Sequence, residues 1–172
     1  MMKQFYLKQK VFSIRNRYTI LDDKKNAIYN ASSPMFRSRV LHLNDAKSNE
    51  TLYTMIRKSF TFRPSYKVID EAGKMVASTK KKRAFFKRKV EVASVYGDLV
   101  IEGNYRAHIF SIKQPDGREV AAINKKRLSW GDTYEIAVYA DDHELFYLAL
   151  ILLIDSKYHP KRKRKNSSRR RR

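Results

Sequence analysis

The run Leu145-Phe146-Tyr147-Leu148-Ala149-Leu150-Ile151-Leu152-Leu153-Ile154 constrains what this chain can fold into more than any other feature. Its ten residues contain nothing more polar than Tyr147, whereas a membrane-spanning helix needs about 20. At about 100° per residue, ten consecutive apolar positions cover every side of a helix, and such a helix must be surrounded by protein. It has no polar face with which to lie on a membrane surface either. Asp141, Asp142 and Glu144 put negative charge where a helix N-terminus favours it, with Asp141 or Asp142 expected as the N-cap. A helix over 143–156 would be about 21 Å long and about 10–12 Å wide. An eight-stranded barrel is filled by its own side chains, but one of about eleven or twelve strands leaves room for a single axial helix. The expectation is therefore a mainly β fold: a closed antiparallel barrel of about twelve strands around a central hydrophobic C-terminal helix. A fully buried strand is the competing reading, since Leu and Ala favour helix but Ile and Tyr do not.

The rest of the chain keeps the beat such a wall requires. β-branched and aromatic residues alternate with polar ones between turn clusters at 22–26, 44–49, 70–73, 96–98 and 114–117. The residues that tolerate a left-handed backbone, Asn26, Asn49, Gly73, Gly97 and Gly117, recur about every 20–24 positions, one hairpin apart. Val76–Arg83 and Val120–Arg127 superpose without a gap, each ending in a run of bases. Five or six hairpins give ten to twelve strands, too many for an open sheet of this size, so a barrel or a sandwich is expected.

Charge sets the function classes. Of 172 residues, 38 are Lys or Arg and 17 Asp or Glu, a formal net charge of +21. Residues 157–172 hold ten bases and no acid, leaving +11 on residues 1–156. The division expected is a barrel domain over 1–156 and a disordered polybasic tail over 157–172. There is no Cys, which excludes disulfides, thiolate catalysis and Cys-ligated metals. Met1–Lys10 has no apolar stretch of secretory-signal length, so a cytoplasmic location is expected.

Four stretches carry a family resemblance: Tyr6-Leu7-Lys8-Gln9-Lys10-Val11-Phe12-Ser13-Ile14, Arg17-Tyr18-Thr19-Ile20, Asn124 to Ile136 with its Ser129-Trp130-Gly131-Asp132-Thr133-Tyr134 core, and the closing Leu153-Ile154-Asp155. In these the chain resembles the LURP-one-related proteins, bacterial YxjI-like members included, whose fold is similar to the Tubby C-terminal domain and the phospholipid scramblases. The resemblance covers nearly all of 3–156 and implies a twelve-stranded barrel around a C-terminal helix. It brings no catalytic residues, and no calcium or phosphoinositide motif of the related families is matched. The first turn departs from the family's Asp-Glu-Asn-Gly, with Asn26 expected in the left-handed place, and the tail from Lys161 lies outside the family pattern.

The candidate ligand-binding residues are cations. Lys80, Lys81, Lys82, Arg83, Lys87, Arg88 and Lys89 place seven bases in ten positions with Phe85 and Phe86 between them. Lys125, Lys126 and Arg127 hold the matching place later in the chain, and Lys161, Arg162, Lys163, Arg164 and Lys165 open the tail. Concentrated positive charge attracts phosphate on lipid or nucleic acid; on a solvated strand pair it only blocks edge aggregation. Trp130-Gly131-Asp132 reads as a structural turn. His42, His108, His143 and His159 are scattered without metal-ligand spacing, and no nucleophile elbow, Walker loop or dinucleotide fingerprint occurs. The expectation is a non-enzymatic protein without metal or cofactor. It would bind anionic phospholipid headgroups, peripherally at the inner membrane face; the alternative is a nucleic-acid-binding module using the same basic surface.

Overall fold

A computed structural model describes residues 1–9, 16–34, 39–58, 65–80, 89–124 and 133–158. Twelve strands precede one helix: β1 (Lys3–Gln9), β2 (Asn16–Leu21), β3 (Ala27–Ser32), β4 (Val40–Asp45), β5 (Thr51–Lys58), β6 (Ser65–Asp70), β7 (Met75–Lys80), β8 (Lys89–Ser94), β9 (Leu99–Asn104), β10 (Ile109–Lys113), β11 (Glu119–Asn124), β12 (Thr133–Val138) and α1 (Glu144–Tyr158). A 3-10 turn, Tyr105–Ala107, joins β9 to β10. Every strand pairs antiparallel with its chain neighbours, and β1 closes the ring on β12 from Lys3↔Val138 to Lys8↔Thr133. The expected barrel is what forms.

Alternation decides which side chains face the axis. Leu7, Ile20, Leu43, Met55, Val68, Val92, Ile101, Ile112, Ile123 and Ile136, one from each of ten strands, are buried. They meet α1, in which every residue from Phe146 to Asp155 is buried. The apolar run is thus a helix, and the strand reading fails because a wall of twelve strands already supplies its surroundings. α1 begins one residue later and ends two residues later than expected. His143 has a left-handed φ of 58°, so the chain turns there, before the helix opens at Glu144. Neither aspartate caps it: Asp141 is bonded to the Met1 α-ammonium, and Asp142 stands 3.6 Å from His143 Nε2.

Successive strands run in opposite directions, so the connections fall into two sets. Those after β2, β4, β6, β8, β10 and β12 lie at one end and are tight. In the first of them the left-handed residue is Lys25 (φ 68°), not Asn26. Asn26 instead donates its backbone N–H and side-chain amide to the two Asp22 carboxylate oxygens at 2.7 and 3.0 Å, which holds that carboxyl below its usual range. Asn49, Gly73, Gly97 and Gly117 do take positive φ as expected.

Leu148 and Leu150 have no exposed surface. Leu148→Asp or Leu150→Asp buries a carboxylate without a partner, which costs several kcal/mol against a total stability of about 5–15 kcal/mol. Loss of the soluble fold is expected in expression and circular dichroism, and amides 146–153 of the unmodified protein should be among the slowest to exchange with deuterium.

Candidate anion-binding end of the barrel

The second set of strand ends, after β1, β3, β5, β7, β9 and β11, lies at the opposite end, where α1 also finishes. Lys80 closes β7 and Lys89 opens β8 at this end. Lys81, Lys82, Arg83, Lys87 and Arg88, then Lys125, Lys126 and Arg127, then Lys161, Arg162, Lys163, Arg164 and Lys165 lie outside the described residues, as do Trp130, Gly131, Asp132 and His159. Their described neighbours, Lys80 and Lys89, Asn124 and Thr133, and Tyr158, all stand at this one end. Segments far apart in sequence are therefore anchored on one rim.

Register adds cations that the sequence scatters. Arg57 N–H donates to the Arg39 carbonyl at 2.8 Å, which sets two exposed arginines, one just before β4 and one in β5, side by side at the same rim. Lys8, near the end of β1, is exposed as well. Lys89 is partly neutralised, its ammonium 3.4 Å from Glu102. Glu102 also accepts from Lys113 at 2.8 Å, and Lys113 first, then Lys89, holds its carboxyl below the usual range.

The two ends differ in charge. Stretches 10–15, 35–38, 59–64, 81–88 and 125–132 and the chain after Tyr158 carry 21 of the 38 bases and one acid, Asp132. The six tight connections with their bordering residues, 22–26, 45–50, 70–74, 95–98, 114–118 and 139–144, carry eleven acids against five bases. The net charge of the chain is thus attached to one end of a nearly neutral body. The C-terminus of α1 points the same way, and its unpaired carbonyls favour cations there.

Beneath this rim a buried pair ties helix to wall. His108, 5% exposed and in the left-handed region (φ 54°), sits just after the 3-10 turn, and its Nδ1 is 2.5 Å from Asp155 Oδ1. Its ring stacks on Tyr134 of β12 at 4.0 Å between centroids. Asp155 Oδ2 takes no hydrogen bond among the described residues. The turn that aims His108 rests on Gly103 (φ +144°), where a Cβ would lie 2.5 Å from the Ile109 carbonyl oxygen. Tyr105 reinforces it, donating its hydroxyl to the Ile101 carbonyl at 2.7 Å. Sequence reading missed the pair: the two residues lie 47 positions apart and no spacing motif links them. Of the other described histidines, His42 bonds Thr54 within the wall and has its pKa lowered by burial, while His143 stacks on Tyr96 at the far end. Among the described residues no three His, Asp or Glu side chains converge on a metal position, and no helix is long and apolar enough to cross a membrane.

Comparison with known proteins supports the architecture. The family model described as LURP-one-related matches residues 3–155. The chain is 28% identical over 156 residues to the uncharacterized protein YxjI of Bacillus subtilis (strain 168), covering 90% of this chain and 93% of that protein. A protein of Arabidopsis thaliana solved by X-ray methods superposes with a TM-score of 0.67 at 15% identity, covering 91% of each chain, a likeness of fold alone.

Removing one member of the buried pair should expose its worth. His108→Ala leaves Asp155 uncompensated and should cost about 3–5 kcal/mol in urea unfolding. The double variant His108→Leu/Asp155→Leu should lose less than the sum of the two single changes.

Proposed function

The chain belongs to the LURP-one-related family, and we propose that this protein is a non-enzymatic binder of anionic phospholipid surfaces, docking by the basic end of its barrel at the inner face of the membrane. The observation that carries the reading is the composition of the stretches anchored at that end. Each of the five between strands combines at least one base with at least one Phe or Trp: Phe12, Phe36, Phe60 and Phe62, Phe85 and Phe86, and Trp130. Six of the nine Phe and the single Trp fall there. Interfacial binding needs this pairing, apolar side chains for the headgroup boundary and cations for the anionic leaflet. The acidic far end then faces away from the surface, so the charge asymmetry orients the molecule as it approaches.

The aromatic residues of the strands favour lipid over nucleic acid. Tyr18, Tyr53, Tyr66, Phe110 and Tyr134 point into the core and are buried, whereas sheets that bind single strands display rings on an open face for stacking.

Sedimentation with vesicles at physiological salt tests the proposal. Vesicles containing phosphatidylserine or phosphatidylglycerol should carry the protein down and pure phosphatidylcholine should not. Each tail base near the leaflet is worth up to about 1 kcal/mol, so deleting residues 160–172 should weaken binding at least about tenfold. Lys81→Glu with Lys82→Glu and Arg83→Glu should weaken what remains. Equal binding to neutral and anionic vesicles, or none to either, sinks the reading. Tighter, sequence-selective binding to oligonucleotides that survives tail deletion replaces it with the nucleic-acid one.

A further inference from the structure

One part of the wall has bases and no acid to answer them. Residues 27–44 and 51–69, which run through β3, β4, β5 and β6 between the turns of the far end, contain Arg37, Arg39, Arg57, Lys58, Arg63 and Lys67 and not one Asp or Glu. At the basic rim the fold brings two of these together. β4 and β5 are in register at Val40↔Ile56, and the bond from Arg57 N–H to the Arg39 carbonyl carries the ladder one pair further. The two arginines therefore stand directly opposite each other. Side chains so placed have Cβ atoms about 4.5–5.5 Å apart, where like charges repel. The Arg57 guanidinium makes no hydrogen bond or ion pair among the described residues.

Alternation aims both at the mouth of the barrel. Arg57 shares the face of the buried Tyr53 and Met55, and Arg39 that of the buried Leu41 and Leu43. The residue opposite Arg57 on β6 is Tyr66, which is buried too. This inward row ends at the rim, so both arginines are exposed there rather than enclosed. One strand over, Ser33 takes the next inward place after the buried Ala31 of β3. Its Oγ is buried and has no hydrogen-bond partner among the described residues. Buried hydroxyls are ordinarily bonded, so this one calls for a group the chain does not supply. The buried carboxylate of α1 does not answer the arginines either: Asp155 is turned to His108, just before β10, and in a ring of twelve β10 stands across from β4.

The chemistry selects the ligand class. A guanidinium offers a planar fork that matches phosphate oxygens two at a time. Two adjacent forks suit the dianion of a phosphomonoester better than the monoanion of a diester. We propose that the barrel mouth at β3–β5 is a discrete phosphomonoester site, with Arg39 and Arg57 gripping the terminal oxygens and the Ser33 hydroxyl donating to one of them. The shared chemistry is a terminal phosphate, and its assignment to a lipid rests on the membrane-docking reading. Diffuse charge brings the protein to an anionic leaflet; this site then selects headgroups that end in a free phosphate.

Two measurements on the full chain test the site and its source separately. The first is calorimetric titration with glycerol 3-phosphate at about pH 7.5, where a phosphomonoester is mostly a dianion, in physiological salt, which screens diffuse attraction beyond about 8 Å. Saturable one-to-one binding is expected, with dimethyl phosphate at least about tenfold weaker. Arg39→Gln or Arg57→Gln should weaken it about tenfold, and Arg57→Lys, which keeps the charge but not the fork, about threefold. Ser33→Ala should cost about threefold. Lys8→Gln, the same charge change at the same rim but on the outward face, should leave affinity unchanged. No saturable binding up to about 10 mM, equal affinity for monoester and diester, or equal weakening by Lys8→Gln overturns the site. The second is sedimentation with vesicles of phosphatidic acid or phosphatidylglycerol at matched surface charge, where preference for phosphatidic acid, lost in Arg57→Gln, assigns the site to lipid. Equal binding to both overturns that assignment and leaves membrane docking standing. Arginine-dependent binding of glycerol 3-phosphate without sedimentation by any vesicle supports the site as one for a free phosphate and overturns membrane docking.

Discussion

Mutual burial of α1 and the barrel wall is the contact on which everything else in this molecule depends. A helix apolar on every side has no stable place in water, and a ring of twelve strands has no stable interior without something to fill it. Burying a large aliphatic side chain is worth about 1.5–3 kcal/mol, an upper estimate when the unfolded chain is compact. The buried residues of α1 from Phe146 to Ile154 and the inward residues of the strands thus supply much of the driving force jointly. Two of its buried polar residues, His108 and Asp155, sit where the helix leaves it, and they answer one another.

A core that is largely apolar along its length frees the two ends to differ. The stretches at one end carry nearly all of the net charge, while the tight turns at the other are acid-rich. The described strand ends to which these stretches and turns attach are separated by about the length of α1, ~22 Å.

Those parts of the fold that rest on local periodicity were legible in the sequence. The run 145–154 and the recurrence of turn residues imply a plugged barrel because both are statements about neighbours in the chain. Finer local geometry was less legible: Lys25 rather than Asn26 takes the left-handed place, since Asn26 bonds Asp22 more favourably with its own side chain and N–H. His108 meeting Asp155 and Arg39 meeting Arg57 are products of closure and register, which no spacing encodes. The cations at 80–89 and 125–127 could be seen as clusters from the sequence. That both clusters follow strands ending at one end of the barrel requires knowing that strands seven and eleven run in the same direction.

The order of the elements along the chain has a consequence for how this protein is made. Its first strand must pair with its twelfth, and the filler of the barrel is encoded after both. A nascent chain therefore presents eleven strands with their apolar faces open and neither partner nor plug available. Long-range closure of this kind is slow and leaves strand edges exposed to neighbouring chains. Until translation has passed Asp155 no native interior exists, so folding is a single late event, and the interval before it is when this protein most needs a chaperone.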